Sequence, residues 1–409
     1  MGGLFEEFQN WLQNSRDFLL SWFPTNQKEA QEPEALLTEL PPSLRSKLVA
    51  AVENLPINSA ELEAIHSRLD EVFKEWRDDP KNADNSFVIL TSPVSTVLRI
   101  LTEDLDDNWA QEHKVSLRPL QLDSRPVQQD IITELRRQID VQESAIEEKK
   151  SEVIVIPNLN WCYLRCFEGL EGIDYLQDLL LQNHSRFWII GSGLVGWEYL
   201  NHVSHFKAYC GNSLVLPKLE GEQLQTWLEP IIDEFEISFG EIDTDDDDPM
   251  EAISDSEESR SNQTKYFDRL ASLSEGVSSV AVEVFLHSLC YEPAESDIKT
   301  ETKKTETNTG IEKGSGVLRM KTPDLPLLPR LEQDDLYILY SIVLHGDLTL
   351  SALADSLGDR QSLVKGRVRI LRRMGIIEQQ DDILSVNPIH YPRVKRELDN
   401  NNFIIDEFD

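Results

Sequence analysis

The chain has 409 residues, too many for one ordinary core at roughly 150 residues per domain, and eight Trp with fifteen Phe exclude a wholly disordered polymer. Asp and Glu number 74 against 39 Lys and Arg, a formal charge of -35 that opposes non-specific binding of the intact molecule to a polyanion. Four cysteines without CxxC or zinc-ligand spacing argue against a disulfide framework and against a metal, and no apolar run approaches the ~18 residues that span a bilayer.

In chain order, residues 1–24 form the first predicted element. Phe5, Phe8, Trp11, Phe18 and Trp22 recur at helical spacing until Pro24, which predicts an amphipathic docking helix with one aromatic face. Such a face suits a protein partner or a membrane surface. With no basic leader ahead of it, the expectation is a cytoplasmic protein, peripheral to a membrane if this helix binds lipid. Residues 25–80 read as a linker followed by helices, with Leu44, Leu48, Val52 and Leu55, then Leu62, Ile65, Leu69, Val72, Phe73 and Trp76 at helical spacing.

Residues 84–232 alternate strand and helix. Buried-strand runs at Ser86–Leu90, Val115–Leu122, Glu152–Ile156, Arg186–Ile190 and Ser213–Leu216 are separated by helical patterns, which predicts a parallel sheet covered on both faces. Asp233 to Glu258 then carries thirteen acids and no Lys or Arg, so residues 233–262 are expected to be a disordered insertion. A helical pair at residues 263–291, broken near Ser274-Glu275-Gly276, is followed by a polar linker at residues 292–325 and a small domain at residues 326–400.

The turn after the first strand stands where a phosphate loop would be. A phosphate loop needs close backbone approach at two glycines, a lysine to neutralise the phosphates and a hydroxyl to hold magnesium. Here the run is Thr91-Ser92-Pro93-Val94-Ser95-Thr96-Val97-Leu98, with Thr91 and Thr96 at the glycine positions, Val97 at the lysine and Leu98 at the hydroxyl. After Glu152–Ile156, where a carboxylate pair would bind magnesium and activate water, stand Pro157 and Asn158. Gly191-Ser192-Gly193-Leu194-Val195-Gly196 matches G-x-G-x-x-G but does not lie in the leading βαβ unit, so its glycines are expected to serve a loop with positive φ, not a dinucleotide. His202 and His205 lack a supporting carboxylate cluster and read as core or surface histidines.

This order of parts, over residues 84–392, resembles AAA+ ATPases of the origin-recognition and STAND-like group. The resemblance implies a P-loop NTPase-like α/β domain with a parallel sheet, a small helical lid and a C-terminal winged-helix domain. It also implies that Ser192 is a sensor-like residue at a strand end. Both nucleotide motifs being degenerate, no cofactor and no ATP hydrolysis are expected.

In the last domain, three helices (Asp334–Leu344, Ser351–Leu357, Gln361–Met374) and a hairpin around Asp381-Asp382 have the winged helix-turn-helix order. The third helix carries Lys365, Arg367, Arg369, Arg372 and Arg373, with Arg360 just before it, a basic face suited to DNA or to an acidic protein. The function expected is a non-catalytic AAA+-like scaffold or adaptor with protein partners, able to form an oligomer. The alternatives are a DNA-binding transcriptional regulator and an ATPase with atypical nucleotide contacts.

Overall fold

The structure, a computed structural model, describes residues 40–94, 101, 105, 109–121, 130–139, 152–182, 184–240, 255–292 and 317–403. The aromatic face of Phe5 to Trp22 and the positions Ser95 to Leu98 lie outside the described residues. Glu39–Asp409 forms one compact unit.

Five parallel strands make the central sheet: β1 (Ser86–Thr91), β2 (Ser116–Pro119), β3 (Glu152–Ile156), β4 (Arg186–Gly193) and β5 (Asn212–Val215), in the order β2-β3-β4-β1-β5. Because successive side chains point to opposite faces, each central strand divides between two cores. Phe87 and Ile89, Val153 and Val155, Phe187 and Ile189 meet Ile65, Leu69, Val72, Phe73 and Trp76 on one face. Val88 and Leu90, Ile154 and Ile156, Trp188 and Ile190 meet the helices of the other. This all-parallel sheet between helical layers is a P-loop NTPase-like α/β fold.

The first helices are α1 (Pro42–Glu53) and α2 (Ser59–Asp78), the latter started by Asn58, whose side chain accepts from the Ala60 amide. Since α2 covers one face of the sheet, the α/β layer begins well before residue 84. The short α3 (Ala110–His113) leads into β2, and α4 (Ile131–Ile139) lies between β2 and β3 in the chain. On the second face lie α5 (Glu171–Gln182) and α6 (Leu194–Ser204); α7 (Gly221–Glu234) follows β5.

The two flanks of the acidic region, expected to be disordered, are regular structure. Residues 233–240 complete α7 and enter β6 (Ser238–Phe239), while α8 begins at Asp255 and runs to Ser274. Apolar neighbours explain the difference: Ile237, Tyr266, Phe267 and Leu270 are buried in a common cluster that anchors the acidic flanks. After α8, α9 (Ser278–Ser288) completes a helical pair, and β7 (Leu289–Glu292) pairs with β8 (Val317–Met320), which also pairs with β6. The expected linker at residues 292–325 thus contains a strand.

The C-terminal part comprises α10 (Gln333–His345), β9 (Leu348–Thr349), α11 (Leu350–Leu357), α12 (Gln361–Arg373), β10 (Ile377–Gln380), β11 (Ile383–Val386) and α13 (Tyr391–Asn400). The two hairpin strands and β9 form an antiparallel sheet in the order β10-β11-β9. This is the element order of a winged helix with α13 appended. From Ile338 to His345 every residue of α10 is buried, the mark of a helix enclosed on all sides. No helix among the described residues is long and apolar enough to cross a membrane.

Candidate functional site

Open parallel sheets take ligands at the carboxyl ends of their strands. There the chain places Ser92 and Pro93 after β1, Pro157 and Asn158 after β3, and Ser192 one residue before the end of β4. Asn158 accepts from the Asn160 amide and starts a 3-10 turn, Leu159–Cys162, that lies across the strand ends. Ser192 is buried and its hydroxyl donates to Asn160 Oδ1 at 3.4 Å, which ties the end of β4 to the turn after β3. The Ser92 hydroxyl is buried without a hydrogen-bond partner among the described residues.

The chain itself packs against this end of the sheet. The end of α10 packs against α6 and delivers Leu344, His345, Gly346 and Asp347 to the strand ends. Trp161 Nε1 donates to both Asp347 carboxylate oxygens at 3.0 Å. The Tyr163 hydroxyl donates to the Leu344 carbonyl at 3.3 Å, and the Arg165 amide donates to His345 Nε2 at 3.3 Å. The Arg165 guanidinium donates to Ser341 Oγ and the Ser356 carbonyl and stands over the Tyr340 ring. Burial pushes the phenols of Tyr199 and Tyr340 up, with Arg165 opposing, so both stay neutral hydroxyls.

Two glycines permit the fit. Gly346, at φ 76°, ends α10, and a β-carbon there would stand 3.6 Å from the Pro93 carbonyl oxygen. A β-carbon on Gly196 would lie 2.4 Å from Asn160 Oδ1, 2.7 Å from the Tyr163 hydroxyl and 2.8 Å from the Leu344 carbonyl. The expectation that the glycine motif serves positive φ is therefore corrected, since Gly191, Gly193 and Gly196 are absent from the positive-φ residues. Gly191 lies within β4 and Gly193 ends it, and what the glycines provide is close approach: a β-carbon on Gly191 would meet the Pro157 carbonyl oxygen at 2.4 Å.

The basic helix α12 is the second candidate. Arg360, Lys365, Arg369, Arg372 and Arg373 are exposed. Lys365, Arg369 and Arg372, with Gln361, Gln379 and Asp382, line a cleft of about 470 Å³ between α12 and the hairpin. Arg367 does not join that face. Its guanidinium takes Asp335 in a two-pronged contact of 3.0 and 2.7 Å and Glu332 at 2.9 Å, because these acids form the capping box of α10 directly opposite. Among the described residues no cluster of His, Cys, Asp and Glu could hold a metal; His202 bonds the Glu198 carbonyl and His205 caps α6, both exposed.

Trp161, Tyr163, Arg165 and the Leu344–Asp347 segment were not singled out by their sequence. The available signal was the run Leu336–Leu344, apolar beyond what one helix face requires.

No protein-family model and no curated protein matches the chain. Solved structures similar to it include the Thermotoga maritima RuvB Holliday junction branch migration motor, with 13% identity, a TM-score of 0.32, and coverage of 84% of this chain and 96% of that one. Cdc6p from Pyrobaculum aerophilum gives 12%, 0.33, 85% and 96%. The Aeropyrum pernix ORC2 protein gives 11%, 0.34, 90% and 96%. The fold assignment rests on the strand order and connections themselves.

Proposed function

We propose that this chain is a non-catalytic AAA+-like scaffold or adaptor, with a nucleotide fold retained for assembly and a winged-helix domain that plugs its ligand crevice. The observation that carries the reading is the seat of Leu344–Asp347 at the ends of β1, β3 and β4, held by Trp161, Tyr163 and Arg165. Residue chemistry agrees. Val97 stands at the lysine position and Asn158 at that of a magnesium-binding carboxylate, while the plug adds the Asp347 carboxylate beside the crevice, which opposes phosphate.

Titration of the purified full chain with Mg-ATP is expected to give no binding heat and no turnover above blank. Magnesium-dependent hydrolysis that survives purification and is abolished by Ser92→Trp would overturn the proposal.

A further inference from the structure

Helix α12 turns three faces to its surroundings. Val364, Val368 and Leu371 are buried in the core. Lys365, Arg369, Arg372 and Arg373 form the cationic face toward the hairpin. The third face carries Leu363, Gly366, Ile370 and Met374, spaced three, four and four residues apart and hence in one row. Leu363 is 65% exposed, Ile370 41% and Met374 45%. Arg367 borders this row, but Asp335 and Glu332 neutralise it, so no free charge interrupts the apolar strip.

Gly366 adds an independent observation. Within a helix, glycine costs roughly 0.5–1 kcal/mol relative to alanine. Among the described residues a β-carbon at Gly366 would meet nothing within 4 Å, and its φ is not positive, so neither backbone geometry nor crowding by those residues calls for glycine. Its effect is a flat place in the middle of the strip, where another backbone can come close.

A nucleic-acid backbone would engage the cations and leave the apolar strip wet. A partner helix with an apolar stripe bordered on one edge by carboxylates satisfies both strips, its acids meeting the cationic face and its apolar row crossing at Gly366. We propose that the outer surface of α12 docks an acidic amphipathic helix of a partner protein. This stands apart from the reading of the nucleotide crevice, and neither depends on the other.

The test is fluorescence anisotropy on the full chain at about 0.15 M salt with three labelled probes. These are a helical peptide with a leucine stripe and glutamates along one edge, a scrambled peptide of the same composition, and a short DNA duplex. The amphipathic peptide is expected to bind at least tenfold tighter than the scrambled one. Leu363→Glu with Ile370→Glu, or Gly366→Phe, should remove that preference while the unfolding midpoint changes little. Arg369→Glu with Arg372→Glu should weaken the same peptide tenfold or more. Equal binding of both peptides, or failure of the amphipathic peptide to bind because the surface is covered by this chain or fits no helix, overturns the proposal. So does tight duplex binding indifferent to Leu363 and Ile370, which would make the surface a nucleic-acid site.

Discussion

Glu152 holds two guanidinium groups, Arg118 at 2.5 Å and Arg186 at 2.6 Å, where three parallel strands begin, and all three side chains are largely buried. Removing the central carboxylate leaves two cations in low dielectric, so Glu152→Gln is expected to destabilise by about 3–5 kcal/mol, as measured by urea unfolding. Glu61 behaves differently. Burial raises its carboxyl, and the bond donated by Ser278 at 3.0 Å only partly compensates. The folded state therefore keeps this proton to higher pH than the unfolded state, and the contribution present below the unfolded value is lost as pH rises through the folded one. Glu61→Gln, whose amide oxygen can still accept from Ser278, is expected to flatten this decline and to be more stable than the natural chain at neutral pH. Thermal unfolding across pH 3 to 8 checks it, and parallel curves for the two proteins would refute it.

At the scale of elements, two glycines that look alike in the sequence should respond in opposite ways. Gly196→Ala forces a methyl against Asn160, Tyr163 and the Leu344 carbonyl between α6 and α10, and should cost about 1–3 kcal/mol with increased proteolysis between β8 and α10. Gly366→Ala should instead stabilise α12 by roughly 0.5–1 kcal/mol. Differential scanning calorimetry of the pair separates the two roles. Most strands and helices could be read from apolar periodicity, including both hairpin strands and the break before α9. Among the elements missed, α6 follows β4 without a turn, β9 is two residues long and ordered by pairing with β11, and β6, β7 and β8 lie in or beside polar stretches and are ordered by pairing with one another. Arg367 looked like its basic neighbours because charge spacing within α12 carries no information about the capping acids of α10. The contacts of Trp161, Tyr163 and Arg165 with α10 and Asp347 were illegible for the same reason, since they join residues about 180 positions apart.

Over the whole molecule, the charge of -35 sets an electrostatic self-repulsion that acts on the folded state more than on the expanded one. Screening should relieve it, so the unfolding midpoint is expected to rise by several degrees between about 0.02 and 0.2 M sodium chloride, within which the Debye length falls to ~10 Å and below. An equal rise in sucrose of matched osmolality would assign the effect to solvent exclusion instead. The enclosure of α10 bears on how the protein is made. Its buried side chains complete a cluster that begins at Leu48 and includes Val195, yet they leave the ribosome roughly 140 residues after α6, a delay on the order of ten seconds at ~5–20 residues per second. Until then the nascent α/β layer carries an uncovered apolar seat, so translation stalled before α10 should yield chains that bind a hydrophobic dye and are retained by chaperones, whereas release of the whole chain removes both signals.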